Sequence, residues 1–216
     1  MNNKKNRITE IYNKKDLYIS PENTIIIIDW DDTLYPTSWV IGNNIDLTDP
    51  IQRYKYIKHF EKLDDLVSTA LEHMITLGEV IIITNAMVEW IQLSVSVLPK
   101  TMKCISKIEI ISARQRQQNK TQMTNWKKHT FLEEITKRAK KKRYHNILSL
   151  GDADFEHAAL VNLYNNALIP HKYLKSIKFI KSSDYDITTE QLKMIKKYIA
   201  SICKMTRQVD MTFDTN

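Results

Sequence analysis

Residues 24–39 read TIIIIDWDDTLYPTSW, in which four consecutive isoleucines, at positions 25–28, run directly into three aspartates. A run of β-branched apolar residues predicts a strand that is buried on both faces. Asp29, Asp31 and Asp32 then place three carboxylates at the end of that strand. Carboxylates this close together repel one another, so they need a compensating cation. A hard divalent ion that takes oxygen ligands, such as Mg²⁺, is the natural candidate.

The rest of the chain alternates between strand patterns and helix patterns. Further apolar runs predict strands at 79–84, 107–112, 146–150 and 176–180. Helical spacing of apolar residues predicts helices at 50–77 (broken once and stopped by Gly78), 87–98, 125–142, 154–164 and 188–205. Thr188 and Gln191 are placed as a capping box at the start of the last helix. This alternation predicts an α/β fold: a Rossmann-like parallel sheet of about five strands with helices on both faces.

The domain organisation follows from the same pattern. Residues 1–20 form a polar lead, and residues 21–216 are expected to form a single domain. The strand and helix patterns leave few residues between the first two strands, so we expect only a small flap at about residues 35–49 and no large cap domain.

Polar residues end three of the predicted strands. In such a sheet, ligands bind at the carboxyl ends of the strands. The end residues are Asp29 and Asp31 after the first strand, Thr84 and Asn85 after the second, and Gly151 and Asp152 after the fourth. Turn formation and helix capping would explain one such end, because Asp favours both. Three converging ends favour a binding site.

These stretches resemble the motifs of the haloacid dehalogenase (HAD) superfamily. IIIIDWDDTL (25–34) is similar to its first motif, an apolar strand followed by D-x-D-x-T-[LV]. VIIITNA (80–86) is similar to the second, and ILSLGDADFE (147–156) to the fourth, G-D-x-x-x-[DE]. The third motif is a single Lys near a helix start, which NWKKHTF (125–131) offers. The resemblance spans about residues 24–160 and implies the HAD-like fold.

The resemblance implies a role for each residue of the first motif. Asp29 would be the nucleophile that forms an aspartyl-phosphate, and Asp31 the general acid and then the general base. The backbone carbonyl of Asp31 would also contact Mg²⁺, and Thr33 would stabilise the loop by a local hydrogen bond. Members that are dehalogenases, phosphonatases or P-type ATPases lack an Asp at the position of Asp31. The resemblance therefore implies cleavage of a phosphoric ester.

The other motifs supply the residues that would bind the phosphoryl group and the metal. The Thr84 hydroxyl and the Asn85 backbone N–H would hold phosphoryl oxygens, and Lys127 would neutralise their charge. Lys128 and Lys120 are rivals for that lysine. Asp152 would bind Mg²⁺ together with Asp29 and Asp31. Glu156 would orient metal-bound waters or Lys127.

The substrate class stays open at this level. A site without a cap suits a large or exposed phosphorylated substrate, such as a phosphoprotein or a nucleic-acid end. A neighbouring subunit could instead cover the site for a small-molecule substrate. The alternative to an enzyme is a catalytically idle HAD-like fold that serves as a binding module.

Charge and cysteine content bear on partners and location. The net charge of +7 divides into −4 over residues 1–100 and +11 over residues 101–216. KRAKKKR (137–143) holds six basic residues in seven; it is a phosphate-binding patch, a nuclear localisation signal or a solvated helix C-terminus whose dipole favours cations. Cys104 and Cys203 show no metal spacing, which favours reduced thiols inside the cell. With no apolar run long enough for a membrane span and no secretory leader, we expect a cytoplasmic location, or a nuclear one if the basic run is a localisation signal.

Overall fold

A computed structural model describes residues 18–166 and 172–213 of the chain, so most of the polar lead predicted over 1–20 lies outside the described residues. The fold is an α/β fold built on one parallel sheet of six strands. In spatial order the strands are β3, β2, β1, β4, β5 and β6. Their bounds are β1 Thr24–Ile28, β2 Glu79–Thr84, β3 Glu109–Ser112, β4 Asn146–Gly151, β5 Tyr173–Lys178 and β6 Val209–Thr212. The predicted fold class is confirmed, with one strand more than expected.

Nine helices connect the strands in the described part of the chain. Their bounds are α1 Thr37–Gly42, α2 Pro50–Lys55, α3 Ile57–Leu77, α4 Val88–Val95, α5 Pro99–Ile105, α6 Ala113–Gln117, α7 Trp126–Ala139, α8 Asp154–Tyr164 and α9 Tyr185–Lys204. Short 3-10 turns lie at Pro21–Asn23 and Met123–Asn125. None of the helices in the described part of the chain is long and apolar enough to cross a membrane.

The isoleucine run forms the central strand, β1. All five of its residues are buried, because β2 and β4 flank it and helices cover both faces. Alternate residues face opposite sides of a strand. Ile26 and Ile28 therefore belong to one core, and Ile25 and Ile27 to the other. Burial on both faces explains why this strand is continuously apolar rather than alternating.

Two helical layers cover the sheet. One core packs under α3, α4, α5 and α9, with α3 lying against both α5 and α9. The other packs under α7 and α8, which lie against each other. The predicted helix over 50–77 is confirmed in two pieces that break at Tyr56 and end at Gly78.

Some predicted boundaries were wrong. β5 begins at Tyr173, three residues before the predicted strand, and β6 follows the last helix where no strand was predicted. The fixed φ of Pro99 suits the first turn of a helix, so Pro99 begins α5 in addition to ending the stretch before it. The predicted capping box at Thr188 and Gln191 was also wrong. Asp184 is the N-cap of α9, and both residues lie inside the helix.

Residues 35–49, predicted as a flap, contain the short helix α1. Tyr35 and Val40 are buried in the core beneath α3 and α4, while Ile41 is exposed. Trp39 packs edge-on against Tyr56, with ring centroids 5.5 Å apart. The division of the chain into a lead and one domain stays a prediction.

Candidate active site

The candidate site lies where the carboxyl ends of β1 and β4 meet. Ile28 pairs with Leu150 in the sheet, and the Asp29 backbone N–H donates to the Leu150 carbonyl at 2.9 Å. This register puts Asp29 beside Gly151, the last residue of β4, with Asp152 directly after it. Both aspartates are almost fully buried. The parallel pairing of the two strands thus brings together two carboxylates that are far apart in the sequence.

Lys127 bridges the candidate nucleophile and the acidic residue of the fourth motif. Its side chain projects from the first turn of α7 and is 2% exposed. The Lys127 ammonium nitrogen Nζ lies 2.8 Å from Asp29 Oδ1 and also forms an ion pair with Glu156 Oε1. A buried cation that contacts two buried carboxylates offsets part of the repulsion expected at this end of the sheet.

Gly151 makes room for the side chain of Glu156. A Cβ atom at position 151 would lie 2.3 Å from Glu156 Cγ and 2.5 Å from Cδ, closer than real Cβ contacts. Glu156 is in the first turn of α8, and its Oε2 accepts a hydrogen bond from the Ala153 backbone N–H at 3.2 Å. The glycine of the fourth motif therefore allows Glu156 to fold back over β4 and reach Lys127.

Asp31 is held by two donors that sequence reasoning missed. Its Oδ1 accepts from the Thr37 hydroxyl at 2.5 Å and from the Trp90 indole N–H at 2.8 Å. Thr37 begins α1, whereas Trp90 lies on α4, 59 residues away. Thr37 is within reach of Asp31 in the sequence, but no spacing rule points to Trp90, because only the packing of α4 against the loop after β1 brings it close.

Asp32 shapes the loop after β1 through both its backbone and its side chain. Its backbone has φ 51°, in the left-handed region, which Asp tolerates better than most residues. Its carboxylate accepts from the backbone N–H of Ser38 at 2.8 Å and from the Ser38 hydroxyl at 2.5 Å. It therefore fixes the start of α1 to the loop after β1. The Thr33 side chain is fully buried beside it, but its hydroxyl has no partner among the described residues, so the local hydrogen bond expected of Thr33 is not seen.

Thr84 and Asn85 end β2 on the other side of β1. The Thr84 side chain is fully buried, and its Oγ1 accepts from the Ala86 N–H at 3.0 Å. The Asn85 Oδ1 is buried and has no hydrogen-bond partner among the described residues. The strand register puts Thr84 one residue beyond the level of Asp29, on the neighbouring strand.

The two rival lysines occupy different surroundings from Lys127. Lys120 is exposed and Lys128 is half-buried. Within the described residues, neither forms an ion pair with Asp29, Asp152 or Glu156, all of which lie close to Lys127. The structure therefore brings Lys127 to the predicted position rather than its rivals.

Electrostatic crowding shifts the pKa values of the site. Burial, followed by the charges of Asp29, Glu156 and Asp32, raises the pKa of Asp152 to about 7. Burial and the charge of Asp29 also raise the pKa of Asp31, although the hydrogen bonds from Thr37 and Trp90 oppose the rise. Burial alone would lower the pKa of Lys127, but the charges of Asp29 and Glu156 outweigh it and raise the value. The site as it stands is thus short of positive charge.

The residues at this edge fit a Mg²⁺ site. Among the described residues, no group of three His, Cys, Asp or Glu side chains is arranged to hold a metal. The expected set needs only two carboxylates, Asp29 and Asp152, with the Asp31 carbonyl. Mg²⁺ commonly takes one or two carboxylates and keeps several waters, so the set is of the right size and chemistry. The raised pKa of Asp152 indicates the same need for a cation.

The basic run 137–143 lies at the amino ends of the strands, opposite the end that holds the site. Helix α7 starts at the site, and the run begins in its last turn, about 15 Å along the helix from Lys127. Arg138 forms ion pairs with Glu79 and Glu109, the first residues of β2 and β3. Lys142 lies 3.7 Å from Glu79 and over the ring of Tyr144. Arg138 and Lys142 therefore contact the amino ends of the strands, far from the site.

No family model matches the chain. No curated protein matches it either. Among solved structures, the chain is similar to the crystal structure of a HAD family hydrolase from Deinococcus radiodurans R1 with bound phosphate and sodium. The two chains are 11% identical, the match covers 87% of this chain and 99% of that one, and the TM-score is 0.41. A likeness this distant carries no information on activity.

Proposed function

We propose that the protein is a Mg²⁺-dependent phosphatase of the HAD type, without a large cap, that acts through an aspartyl-phosphate. The observation that carries the proposal is the contact of Lys127 Nζ with Asp29 Oδ1, beside Asp152 and at the carboxyl end of β1. A buried carboxylate next to a buried cation and a second carboxylate has the components that phosphoryl transfer needs. These are a nucleophile, charge neutralisation and metal ligands.

The chemistry follows from the side chains in place. The carboxylate of Asp29 attacks phosphorus, and the bond from phosphorus to the leaving oxygen breaks while Asp31 gives that oxygen a proton. Asp31 then takes a proton from the water that attacks the aspartyl-phosphate, which releases phosphate and restores Asp29. When bound, Mg²⁺ supplies positive charge that stabilises the phosphoryl oxygens and orients the group.

We expect three groups to bind the phosphoryl oxygens. Lys127 provides positive charge within contact distance of Asp29. The Thr84 hydroxyl and the Asn85 backbone N–H lie at the end of the adjacent strand and provide donors without charge. Because these groups are fixed by α7 and β2, they hold the phosphoryl group with little reorganisation during the reaction.

The substrate we propose is large or has an exposed phosphate, such as a phosphoprotein or a nucleic-acid end. This proposal is supported by the shortness of the segment over residues 35–49. Because α1 and side chains packed on the core use most of it, few residues remain to cover the site. A small-molecule phosphate remains within the proposal if a second subunit covers the site. The presence of every motif side chain favours an enzyme over an idle binding module.

The test is hydrolysis of 4-nitrophenyl phosphate with and without Mg²⁺. Chelation should abolish turnover, and Asp29→Asn should lower it by a factor of about 10³ or more, since no phosphoryl-enzyme can form. A rise in the unfolding midpoint with Mg²⁺, absent in Asp152→Asn, separates the enzyme from a protein that binds no metal. Full turnover in metal-free buffer would contradict the proposal. Metal binding without any turnover would favour the idle binding module.

A further inference from the structure

The two donors to Asp31 converge on a single oxygen of its carboxyl group. The Thr37 hydroxyl and the Trp90 indole N–H both bind Oδ1, at 2.5 Å and 2.8 Å. Oδ2 accepts no hydrogen bond from any residue in the described ranges. Because the indole N–H can only donate, it requires Oδ1 to act as an acceptor. A proton carried by Asp31 is therefore favoured on Oδ2.

Trp90 packs against a neighbouring aromatic ring, and a second hydrogen bond ties its helix to the same loop. Its ring packs edge-on against Tyr35, with centroids 6.1 Å apart, and Tyr35 stacks on Trp30 with an interplanar angle of 4°. The Trp30 indole N–H donates to Ser94 Oγ at 2.9 Å. Ser94 and Trp90 are four residues apart on α4, so they lie on the same face of that helix. One face of α4 thus makes two side-chain hydrogen bonds to the loop after β1.

We propose that Trp90 is a positioning residue that holds the carboxyl group of Asp31. In this orientation Oδ2 is the oxygen that gives a proton to the leaving group and later takes one from the attacking water. Thr37 is the second donor of the same arrangement. The inference rests on the proposed phosphatase function, in which Asp31 is the general acid. It extends that function because α4, a helix outside the sequence motifs, then orients the carboxyl group of the general acid.

The kinetic test uses Trp90→Phe, which removes the donor and keeps an aromatic ring against Tyr35. The step that releases the alcohol is reported by kcat/KM. With an alkyl phosphate, whose leaving group needs a proton, kcat/KM should fall about tenfold or more, within the range of general acid catalysis. With 4-nitrophenyl phosphate, whose leaving group needs little help, it should fall less than about twofold. Equal losses for both substrates would overturn the proposal.

Ser94→Ala is the matched control. It also removes one side-chain hydrogen bond between α4 and the loop, and it leaves the buried Trp30 N–H without a partner. It should lower the urea midpoint while changing kcat/KM by the same small factor for both substrates. If Ser94→Ala reproduces the leaving-group dependence of Trp90→Phe, then general loosening of α4 explains the effect and the assignment to Trp90 is wrong.

A measurement without substrate separates this proposal from the proposed function. The chain has four tryptophans, so four indole N–H signals are expected in a ¹⁵N-correlated NMR spectrum. Trp90→Phe identifies one of them by its loss. Asp31→Ala should shift that signal upfield, because its acceptor is removed, and should leave the Trp126 signal in place. A Trp90 signal that does not move would overturn the contact even in an active enzyme. A shift in a protein that cleaves no phosphate would overturn the phosphatase function and, with it, this role for Trp90.

Discussion

Gly151 shows how one missing methyl group determines the geometry of a site. The space that a Cβ atom would fill is already occupied by Cγ and Cδ of Glu156. Only a glycine at the end of β4 lets the first turn of α8 return its acidic side chain to Lys127. The glycine of the fourth motif is thus required by packing and not by an unusual backbone angle, since no glycine among the described residues lies in the left-handed region.

We predict that Gly151→Ala displaces Glu156 from Lys127 and lowers the free energy of unfolding by about 1–3 kcal/mol, the usual cost of an overpacked site. Gly42→Ala is the control, because a Cβ there meets nothing within 4 Å. Its effect should be within about 1 kcal/mol and stabilising. Urea denaturation of both variants tests this, and equal effects would refute the argument.

Lys175 is a second buried cation, and nothing in the structure assigns it a part in the site. Its side chain is fully buried in β5, and Nζ donates to the Cys203 carbonyl near the end of α9 at 2.7 Å. Burial lowers the pKa of Lys175 to about 8 from its ordinary 10.5. Below pH 8 the native protein therefore bears the cost of a buried charge that the unfolded chain does not.

This lowered pKa fixes the sign of a pH effect. Between pH 8 and 10.5 the unfolded chain binds more protons at Lys175 than the native protein, so Lys175 makes stability rise with pH there. We predict that Lys175→Met raises the free energy of unfolding at pH 7 by about 1–3 kcal/mol and removes that rise. The Cys203 carbonyl keeps a donor in Asn146 Nδ2 at 3.1 Å. Urea titrations from pH 7 to 10 test this prediction, with the exposed Lys196→Met as the control. A Lys175→Met protein less stable than the parent at pH 7 would contradict it.

Among the elements, α9 illustrates how a helix start is chosen. Asp184 accepts from the backbone N–H groups of Asp186 at 2.7 Å and Ile187 at 3.4 Å, and its negative charge suits the helix dipole. Thr188 instead donates to the Asp184 carbonyl from inside the helix. Thr188 and Gln191 have the spacing of a capping box, but the helix begins four residues earlier with Asp184 as its N-cap.

We predict that Asp184→Ala lowers the free energy of unfolding by about 1 kcal/mol through loss of the cap. Asp184→Asn should retain most of the stability, because an amide oxygen accepts the same bonds. Thermal and urea unfolding of the two variants measure the difference. A loss of equal size in both would attribute the effect to charge instead of capping.

The elements differ in how far the sequence reveals them. Strands β1, β2 and β4 are apolar on both faces, so their runs predict them almost to the residue. β5 carries Lys175 in its buried interior, which masks its first half, and β6 is a short edge strand with alternate residues exposed. In the site, motif spacing predicts the residues on strand ends and first helical turns. It misses Trp90, because that contact depends on how α4 packs.

At the scale of the molecule, charge is distributed away from the site. The second half of the chain carries a net +11, but the run 137–143 begins about 15 Å along α7 from Lys127, which contacts Asp29. At 0.1 M salt the Debye length is about 10 Å, so the run contributes little to the potential at the site. Guidance of a polyanionic substrate would have to come from cations at the carboxyl edge.

We therefore predict that Lys140→Gln with Lys141→Gln changes kcat/KM for a 3′-phosphorylated oligonucleotide by less than about twofold at 0.1 M salt. Lys120→Gln with Lys128→Gln, between β3 and the first turn of α7, should lower it more and weaken its salt dependence. Steady-state rates between 0.05 and 0.2 M salt, roughly a Debye length of 14 to 7 Å, compare the two pairs. A larger effect from the first pair would restore a role for the run in substrate approach.

The central place of β1 in the sheet also affects how this protein folds during its synthesis. β1 hydrogen-bonds on one side to β2 but on the other to β4, whose Asn146 meets Thr24 across 122 positions of chain. At about 5–20 residues per second, a ribosome needs roughly 6 to 24 s between finishing β1 and beginning β4. During that interval β2 and the helices α3 to α7 are synthesised, but the edge of β1 that pairs with β4 stays open. A nascent chain in this state is a candidate client for chaperones, and the same strand that organises the mature protein is its main aggregation hazard during synthesis.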